Sequence, residues 1–296
     1  MKGVTLVKRA AAIGAVALIP SLAIAGAAGA AGGQSQAAIC DTASLPLVQS
    51  GTLTIGTDNP AFPPWFGGGE HSKPWKFNDP TTGKGYESAV AYAVARQMGF
   101  TRNQVKWVVV PFATSFAPGK KKFDMLLNQV SFSPQRAKNV NFSASYYDVN
   151  QAVVTLKGKR ISNVKSIAGL KPFKLGAPIG TTSFEVITKR VKPDQQPAVF
   201  DTLNDGVNAL RNGTIDGLVV DLPTGFFVTA AQVKNSKIVG QFAPVGAGEH
   251  FGVVSAKGSQ VTGCVNRALA KLRANGTLRR LERTWLGAGA GAPFLK

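Results

Sequence analysis

Two polar segments combine residue types that could hold a small carboxylate. Ser131 and Arg136 follow an apolar run, and the planar fork of an arginine beside a hydroxyl group matches a carboxylate in two hydrogen bonds. Thr181 and Thr182 follow Gly180 at the start of a predicted helix, whose free backbone N–H groups favour an anion. Taken separately, each segment also has a simpler interpretation: a solvated surface arginine and an ordinary helix N-cap.

A third segment could hold the opposite charge. Asp221 directly follows the apolar run 215–220, which predicts a buried strand. In a parallel α/β sheet, ligands collect at the carboxyl ends of the strands, and a carboxylate there can hold an ammonium group. The alternative is that Asp221 only caps a helix or a turn. The three segments together favour a site for a zwitterion.

The sequence shows none of the common metal-binding or catalytic motifs. His71 and His250 are its only histidines, and they lie far apart with no cysteine spaced to join them. A Gly-x-Ser-x-Gly elbow, a Walker A loop and a Rossmann glycine fingerprint are absent. We therefore expect no catalytic residue, no metal and no cofactor.

The elements that position these residues are expected to alternate between strands and helices. Apolar patterning predicts strands at 51–56, 105–110, 123–130, 151–156, 173–177, 215–220 and 251–255. Helical spacing predicts helices at 86–98, 181–190, 204–211 and 261–285, the last interrupted at Asn275-Gly276. Such alternation is typical of βαβ units with mainly parallel sheets. The chain length of 296 residues is sufficient for about two domains.

The N-terminal sequence has the layout of an export signal. Three basic residues precede the uncharged run 10–25, and small residues that suit a signal peptidase follow it. We expect a signal peptide at 1–30 and a flexible leader at 31–44. A membrane anchor is the competing interpretation, but Ala and Gly make the run only weakly apolar. Lipidation of Cys40 is disfavoured because Ile39, which is not a small residue, precedes it.

The cysteine count supports export. Cys40 and Cys264 are the only cysteines, and an even number in an exported chain predicts one disulfide between the N-terminus and a C-terminal segment. Two unrelated buried thiols remain the alternative.

The chain is strongly basic, with a formal net charge of +19. Nucleic acid binding must be considered, but the basic residues are dispersed and no groove-reading motif accompanies them. We expect no nucleic acid partner, and interpret the charge as favouring solubility and attraction to an anionic envelope surface. Long-range attraction slightly favours an anionic or neutral ligand.

Taken in order, the polar motifs resemble those of a known family. They are Gly56-Thr57-Asp58, Pro63-Pro64-Trp65, Gly83-Lys84-Gly85-Tyr86-Glu87, Phe123-Asp124, Ser131 to Arg136, Asn141-Phe142-Ser143, Tyr146-Tyr147, Gly180-Thr181-Thr182, Asp216, Asp221-Leu222-Pro223, Asn275-Gly276-Thr277-Leu278 and Trp285-Leu286. Over about residues 51–287 the chain resembles the extracytoplasmic amino-acid-binding proteins of polar amino acid ABC transporters, most closely the actinobacterial branch.

The resemblance implies the type II periplasmic-binding-protein fold, an α/β architecture with two lobes. Each lobe would be a mainly parallel sheet flanked by helices, and two crossovers near 151–157 and 248–257 would form the hinge. Lobe 1 would then comprise residues 45–152 plus 252–296, and lobe 2 residues 153–251.

The resemblance also implies roles for the polar segments. Arg136 would clamp the ligand α-carboxylate with Ser131 and the backbone amide of Thr182, while Asp221 would take the α-ammonium group. The side-chain end of the pocket would be formed by Asp58, Phe62, Trp65, Phe112 and Gln129. Phe62 is shifted by one residue from the usual aromatic position, and the sequence of residues 112–122 departs from the usual motif of the family.

A protein of this family would capture a free amino acid and present it, as a monomer, to a membrane permease with its ATPase. Two alternatives use the same fold: a sensor that reports ligand occupancy to a membrane partner, and an enzyme similar to cyclohexadienyl dehydratase. The enzyme would need an additional acid or base in the cleft. A binder of nucleic acid or envelope polymers is a further alternative, with salt-sensitive affinity as its signature.

Overall fold

The computed structural model describes residues 40–287 and 291–296. The predicted signal peptide at 1–30, and the leader as far as residue 39, lie outside the described residues. Within the described part of the chain, none of the helices has the length and apolar character needed to cross a bilayer.

Strands and helices alternate along the described chain. The strands are β1 (Leu53–Thr57), β2 (Val105–Val109), β3 (Met125–Leu126), β4 (Val140–Val149), β5 (Gln151–Leu156), β6 (Leu175–Pro178), β7 (Ala198–Phe200), β8 (Gly217–Asp221), β9 (Ser236–Phe242), β10 (Glu249–Ala256) and β11 (Phe294–Leu295). The helices are α1 (Tyr86–Gln97), α2 (Phe112–Ser115), α3 (Thr182–Val186), α4 (Leu203–Arg211), α5 (Leu222–Phe227), α6 (Val261–Ala274) and α7 (Thr277–Leu286).

The first sheet has the strand order β2-β1-β3-β10-β4. Strand β1 pairs in parallel with β2 and β3, whereas β10 runs antiparallel to β3 and β4. Every residue of β1 is buried, as expected for a central strand with both faces covered. Helices α1, α6 and α7 contribute apolar side chains to the core beside this sheet.

The second sheet has the order β11-β9-β5-β8-β6-β7. Strand β6 is parallel to β7 and β8, and β5 is antiparallel to β8 and β9. Apolar side chains form one core around Val153, Leu175 and Val219 and another around Val154 and Leu218. Adjacent residues of β5 thus serve two cores because successive side chains of a strand point to opposite faces.

Two chain segments join the sheets. Asn150 alone separates β4 of the first sheet from β5 of the second, and residues 243–248 connect β9 back to β10. The protein therefore has the two-lobed α/β fold that the resemblance implies, with each lobe built around one sheet. The exact lobe limits stay a prediction. Strand β11 pairs with β9, so residues 294–295 join the second sheet.

The disulfide is confirmed. Cys40 is bonded to Cys264 in α6, across a sequence separation of 224 residues and with their Cα atoms 5.6 Å apart. This bond fixes the beginning of the described chain to the helices of the first lobe. The predicted break between α6 and α7 is also confirmed: Gly276 has a φ of 73°, a left-handed conformation that suits glycine at a helix junction.

Some elements differ from the sequence prediction. Of the strand expected at 123–130, only Met125–Leu126 pairs in the sheet, because the chain turns sharply at Gln129, whose φ is 47°. The helix expected at 181–190 continues past α3 as a π-helix, Ile187–Val191. Strands β4, β7, β9 and β11 and helices α2 and α5 were not among the expected elements. The shortest of them, β7, β11 and α2, have too few residues to show a period.

Candidate functional site

The polar segments singled out in the sequence meet between the two sheets. Ser131 follows β3 and forms a backbone bridge with Phe251 of β10. Thr182 begins α3, which follows β6, and Asp221 ends β8 at the carboxyl edge of the second sheet. The strand order brings the ends of β3, β6 and β8 to the same cleft, beside the segments that join the lobes.

Arg136 spans the cleft. Its Nη1 donates a hydrogen bond of 2.7 Å to the carbonyl oxygen of Ser131, and its Nη2 donates one of 2.8 Å to the carbonyl of Gly180 in the other lobe. The ring of Phe116 covers the guanidinium at 4.4 Å, with Phe112 at 5.5 Å. Burial leaves the side chain only 8% exposed and lowers the pKa of Arg136, against the opposing effect of nearby carboxylates.

A carboxylate of the protein itself lies where both lobes offer hydroxyl groups. Glu249 begins β10, and its Oε1 accepts hydrogen bonds from the Oγ of Ser131 and, at 2.6 Å, from the Oγ1 of Thr182. The two hydroxyl oxygens are 3.4 Å apart. Ser131 belongs to the first lobe and Thr182 to the second, so Glu249 bridges the closed cleft.

Gln151 links this carboxylate to Asp221. Its Nε2 donates to Asp221 Oδ1 at 2.6 Å and to Glu249 Oε2 at 3.1 Å. Ser183 holds the amide in this orientation by donating to Gln151 Oε1 at 2.6 Å. The backbones of Gln151 and Asp221 are register partners in β5 and β8, which fixes their side chains next to each other.

The environment of Asp221 favours its neutral form. Burial raises the pKa of Asp221, and the negative charge of Glu249 raises it further. The hydrogen bond from Gln151 and the positive charge of Arg136 act in the opposite direction but do not offset the burial. A cation placed beside Asp221 would favour the ionised form.

The residues predicted for the side-chain end of the pocket are held by backbone amides and by neighbouring aromatic rings. Asp58 accepts hydrogen bonds from the backbone amides of Asn59 and Phe112, at 2.7 and 3.2 Å. Phe62 packs against Phe77, with ring centroids 5.7 Å apart, and Phe112 is partly buried beneath Phe116. The backbone bonds give Asp58 a fixed position at this end.

Gln129 is partly buried and Trp65 is fully buried, and both make contacts within the first lobe. The backbone amide of Gln129 donates to Glu87 Oε1 at 2.6 Å, and its side-chain amide donates to Glu87 Oε2. Trp65 is 1% exposed and packs edge-on against Tyr147 and Phe251. Thr181, the remaining predicted residue, caps α3 by accepting a hydrogen bond from the amide of Phe184 at 3.2 Å.

The structure thus brings Ser131, Arg136, Thr182 and Asp221 together, as the sequence predicted for a zwitterion site. It adds residues that the sequence reasoning did not select: Gln151, Ser183, Thr224 and Glu249. Gln151 and Glu249 lie at the two crossovers between the lobes, and this position was the signal that could have identified them. Within the described residues, no group of three or more His, Cys, Asp or Glu side chains could hold a metal ion.

Comparisons with known proteins agree with this geometry. The sequence profile of the bacterial extracellular solute-binding proteins, family 3, matches residues 66–288. The arginine-binding extracellular protein ArtP of Bacillus subtilis is 25% identical over 220 residues, 72% of this chain and 82% of that protein. The L-cystine-binding protein TcyJ of Escherichia coli is 26% identical over 260 residues, 86% of this chain and 91% of that protein.

A solved structure extends the similarity to three dimensions. An ancestral arginine-binding protein bound to glutamine superposes with a TM-score of 0.66 and 26% sequence identity. The match covers 81% of this chain and 100% of the ancestral protein. The similarity therefore includes both lobes and the cleft between them.

Proposed function

Because the chain belongs to the bacterial extracellular solute-binding proteins of family 3, we propose that it binds a free amino acid between its lobes and delivers it to the permease of an ABC importer. The observation that carries this proposal is the set of donors around Glu249. Hydroxyl groups from both lobes already converge on one carboxylate, and the guanidinium of Arg136 lies beside them.

The α-carboxylate of the ligand is assigned to the donors of this cluster. In the proposed complex, Arg136 supplies the charge through N–H groups that do not bind the backbone carbonyls. The hydroxyl groups of Ser131 and Thr182, which now donate their single protons to Glu249, turn to the ligand carboxylate from opposite lobes. Glu249 stays in the cleft through its hydrogen bonds from Gln151. A ligand held by both lobes stabilises the closed state in proportion to its preference for that state. Closure is then the state that the permease recognises.

The α-ammonium group is assigned to Asp221. This carboxylate lies beyond Gln151, on the second-lobe side of the cleft. Its burial supports the assignment, because a buried carboxylate gains most from a cation that replaces lost hydration. The ligand's two charged groups would therefore be desolvated between the lobes.

The ligand side chain is assigned to the outer end of the cleft. Asp58, Phe62 and Phe112 form the predicted wall there, with Gln129 behind them, as the resemblance implies. Trp65 is also proposed to contact the ligand, but only with the edge of its ring, because the rest of the ring is packed in the core of the first lobe. The names of the relatives, which include arginine- and cystine-binding proteins, support an amino acid as the ligand.

We further propose that the protein is exported after cleavage of residues 1–30, acts as a monomer and works with the ATPase of its transporter. It is proposed to be a binding protein and not an enzyme, since its relatives are named as binding proteins. A dehydratase would instead form product from prephenate or arogenate.

A thermal-shift screen tests the proposal. The purified, ligand-stripped protein is heated with each of the common amino acids and with prephenate, and a ligand that binds the native state raises the melting temperature. The screen is repeated with Arg136→Ala and with Arg283→Ala, a matched control that removes an exposed arginine.

One or a few amino acids should stabilise the wild type and Arg283→Ala but not Arg136→Ala. Loss of Arg136 should weaken binding by about 2–5 kcal/mol, because the ligand carboxylate would be left buried without its charged partner. If no amino acid raises the melting temperature of the wild type, the proposed function is wrong. Consumption of prephenate would assign an enzyme instead.

A further inference from the structure

We propose that Glu249 determines the charge preference of the cleft, so that the preferred ligand is a basic amino acid with a net positive charge. This inference rests on the proposed function, since it concerns the same cleft. It assigns a specificity-determining role to a residue at the crossover between the lobes, next to the groups that are proposed to bind the amino acid backbone.

The position of Glu249 brings a second carboxylate into the cleft. The same nitrogen, Nε2 of Gln151, donates to Asp221 at 2.6 Å and to Glu249 at 3.1 Å, so the two carboxylates lie on either side of one amide. A neutral amide supplies hydrogen bonds but no charge. The two negative charges therefore need positive partners from elsewhere.

Arg136 is one such partner, but its single positive charge must serve both the carboxylates of the cleft and the carboxylate of the ligand. Three carboxylates act on its guanidinium: Glu185, Glu249 and Asp221. The charges that act on Asp221 come from two carboxylates, Glu249 and Glu87, and from one cation, Arg136. Once the ligand ammonium has favoured the ionised form of Asp221, the groups that would contact the amino acid backbone carry two negative charges, on Asp221 and Glu249, and one positive charge, on Arg136.

Only one class of amino acid brings the net charge of these groups to zero when it binds. A zwitterion brings one positive and one negative charge and leaves the negative excess unchanged. An acidic amino acid doubles the excess, whereas a basic amino acid removes it. Asp58, at the end of the cleft proposed for the ligand side chain, adds a further carboxylate in the direction that favours a cation.

The net charge of the whole chain does not reverse this preference. The formal charge of +19, or 19 − 3 = +16 after the proposed loss of Lys2, Lys8 and Arg9 with residues 1–30, is dispersed along the sequence, and salt screens such charges beyond about 10 Å. Inside a closed cleft the nearest charges dominate, because screening by water is weaker there. The local carboxylates should therefore outweigh the long-range attraction for anions that the sequence composition suggests.

The test compares wild type with Glu249→Gln, a substitution that removes the charge and keeps the shape. Isothermal titration of the ligand-stripped protein measures Kd for L-arginine, L-lysine, L-glutamine and L-glutamate. Glu70→Gln, in which an exposed glutamate is changed, is the matched control. Melting temperatures show whether each variant is folded.

The wild type should bind arginine or lysine at least tenfold more tightly than glutamate. Because charges inside a closed cleft are only weakly screened, removing one charge should lower the ratio of basic to acidic affinity by about tenfold or more in Glu249→Gln. Glu70→Gln should leave this ratio unchanged.

The possible failures are distinguishable. If the wild type binds no amino acid, the proposed function fails and this inference falls with it. If the wild type binds amino acids but prefers glutamate, or if Glu249→Gln leaves the ratio unchanged, only the charge-selection inference is overturned. Equal tightening for all ligands in Glu249→Gln would make Glu249 an internal competitor for the ligand carboxylate and would also overturn it. If Glu249→Gln does not fold, the same titrations of Glu249→Ala, which also removes the charge, measure the change in the ratio.

Discussion

The indole Nε1 of Trp65 donates a hydrogen bond of 3.1 Å to the Oγ1 of Thr224, and this bond crosses from one lobe to the other. Both residues are buried. Trp65 is held in place by edge-on contacts with Tyr86 and Phe251 in the first lobe, while Thr224 lies in α5 of the second lobe. If the lobes open and close as proposed, this bond exists only while the lobes are in contact, and we expect it to stabilise the closed state.

Removing the acceptor should weaken closure. In Thr224→Val the shape is kept but the Trp65 N–H loses its partner, which costs about 1–2 kcal/mol in the closed state. Because the ligand is proposed to bind the closed state, its Kd should rise by about tenfold. Isothermal titration with the best ligand of the thermal-shift screen measures this change.

The control for this prediction is Thr188→Val, which changes an exposed threonine elsewhere in the second lobe. It should leave Kd within about twofold of the wild type, as expected for a surface substitution. An unchanged Kd in Thr224→Val would show that the bond does not contribute to the ligand-bound state.

The placement of Trp65 depends on a glycine. Gly85 has a φ of 88°, and a Cβ atom built there would lie 2.4 Å from the carbonyl oxygen of Trp65. That carbonyl accepts the hydrogen bond of the Glu87 amide at the start of α1. Gly85→Ala should therefore displace the Trp65 backbone and lower the free energy of unfolding by more than about 3 kcal/mol, which combines left-handed strain with a backbone clash.

A matched glycine separates these two effects. Gly287 has a φ of 80° and a ψ of 168°, close to the 88° and 158° of Gly85, but a Cβ atom added there would meet no atom of the described residues within 4 Å. Gly287→Ala should cost only the conformational strain of about 1–3 kcal/mol. Urea denaturation of both variants gives the comparison, and equal losses would show that the clash at Gly85 is relieved without cost.

The sequence alone predicted much of the fold and part of the site. Helix α1 and strand β1 follow simple periods and are found within one or two residues of their expected limits. Four residues of the site could be identified from the sequence because each follows a recognisable strand or turn: Ser131, Arg136, Thr182 and Asp221. Local patterns of this kind can be recognised in the sequence without knowledge of the tertiary contacts.

Other features depend on contacts that no local pattern reveals. Trp65 was expected at the ligand, but the sequence does not reveal its partner Thr224, which is 159 residues away. Glu249 precedes an apolar strand and resembles any exposed glutamate until β10 brings it to Ser131. Strand β11 finds β9 only in the folded chain. Such relationships arise from topology.

Glu87 should make the stability of the protein depend on pH. Burial raises the pKa of Glu87 from its ordinary 4.5 to about 7, despite hydrogen bonds from Tyr146 and Gln129 that favour the carboxylate. Between these two values the native protein keeps a proton that the unfolded chain releases. The free energy of unfolding should therefore fall as pH rises from about 4.5 to 7, by about 3 kcal/mol from this group.

The test is urea denaturation of wild type and Glu87→Gln across this pH range. The variant cannot ionise at this position, so the decrease should become smaller by about 3 kcal/mol. The remaining decrease belongs to the other carboxyl groups whose pKa is raised, Asp221 above all. Glu70→Gln, at an exposed position, should retain the wild-type slope. A decrease of the same size in Glu87→Gln would assign the pH dependence to another group.

Asp221 should couple ligand binding to proton release. Burial and the charge of Glu249 raise the pKa of Asp221 in the ligand-free protein, so part of the population holds a proton there. The ligand ammonium favours the ionised carboxylate and lowers its pKa, so binding expels that proton. The affinity for the ligand should accordingly increase as pH rises from the ordinary pKa range of a carboxyl group up to the raised pKa of Asp221. The increase cannot exceed tenfold per pH unit, because one group releases at most one proton.

Isothermal titration in two buffers of different ionisation enthalpy counts the protons released by the wild type. Asp221→Asn should bind more weakly, by about 2–5 kcal/mol, because the buried ammonium loses its charged partner. It should also release no proton in this pH range. Asp201→Asn, which changes an exposed aspartate, should release as many protons as the wild type. Proton uptake by the wild type would contradict the assignment of Asp221 to the ammonium, since a cation beside a carboxylate can only lower its pKa.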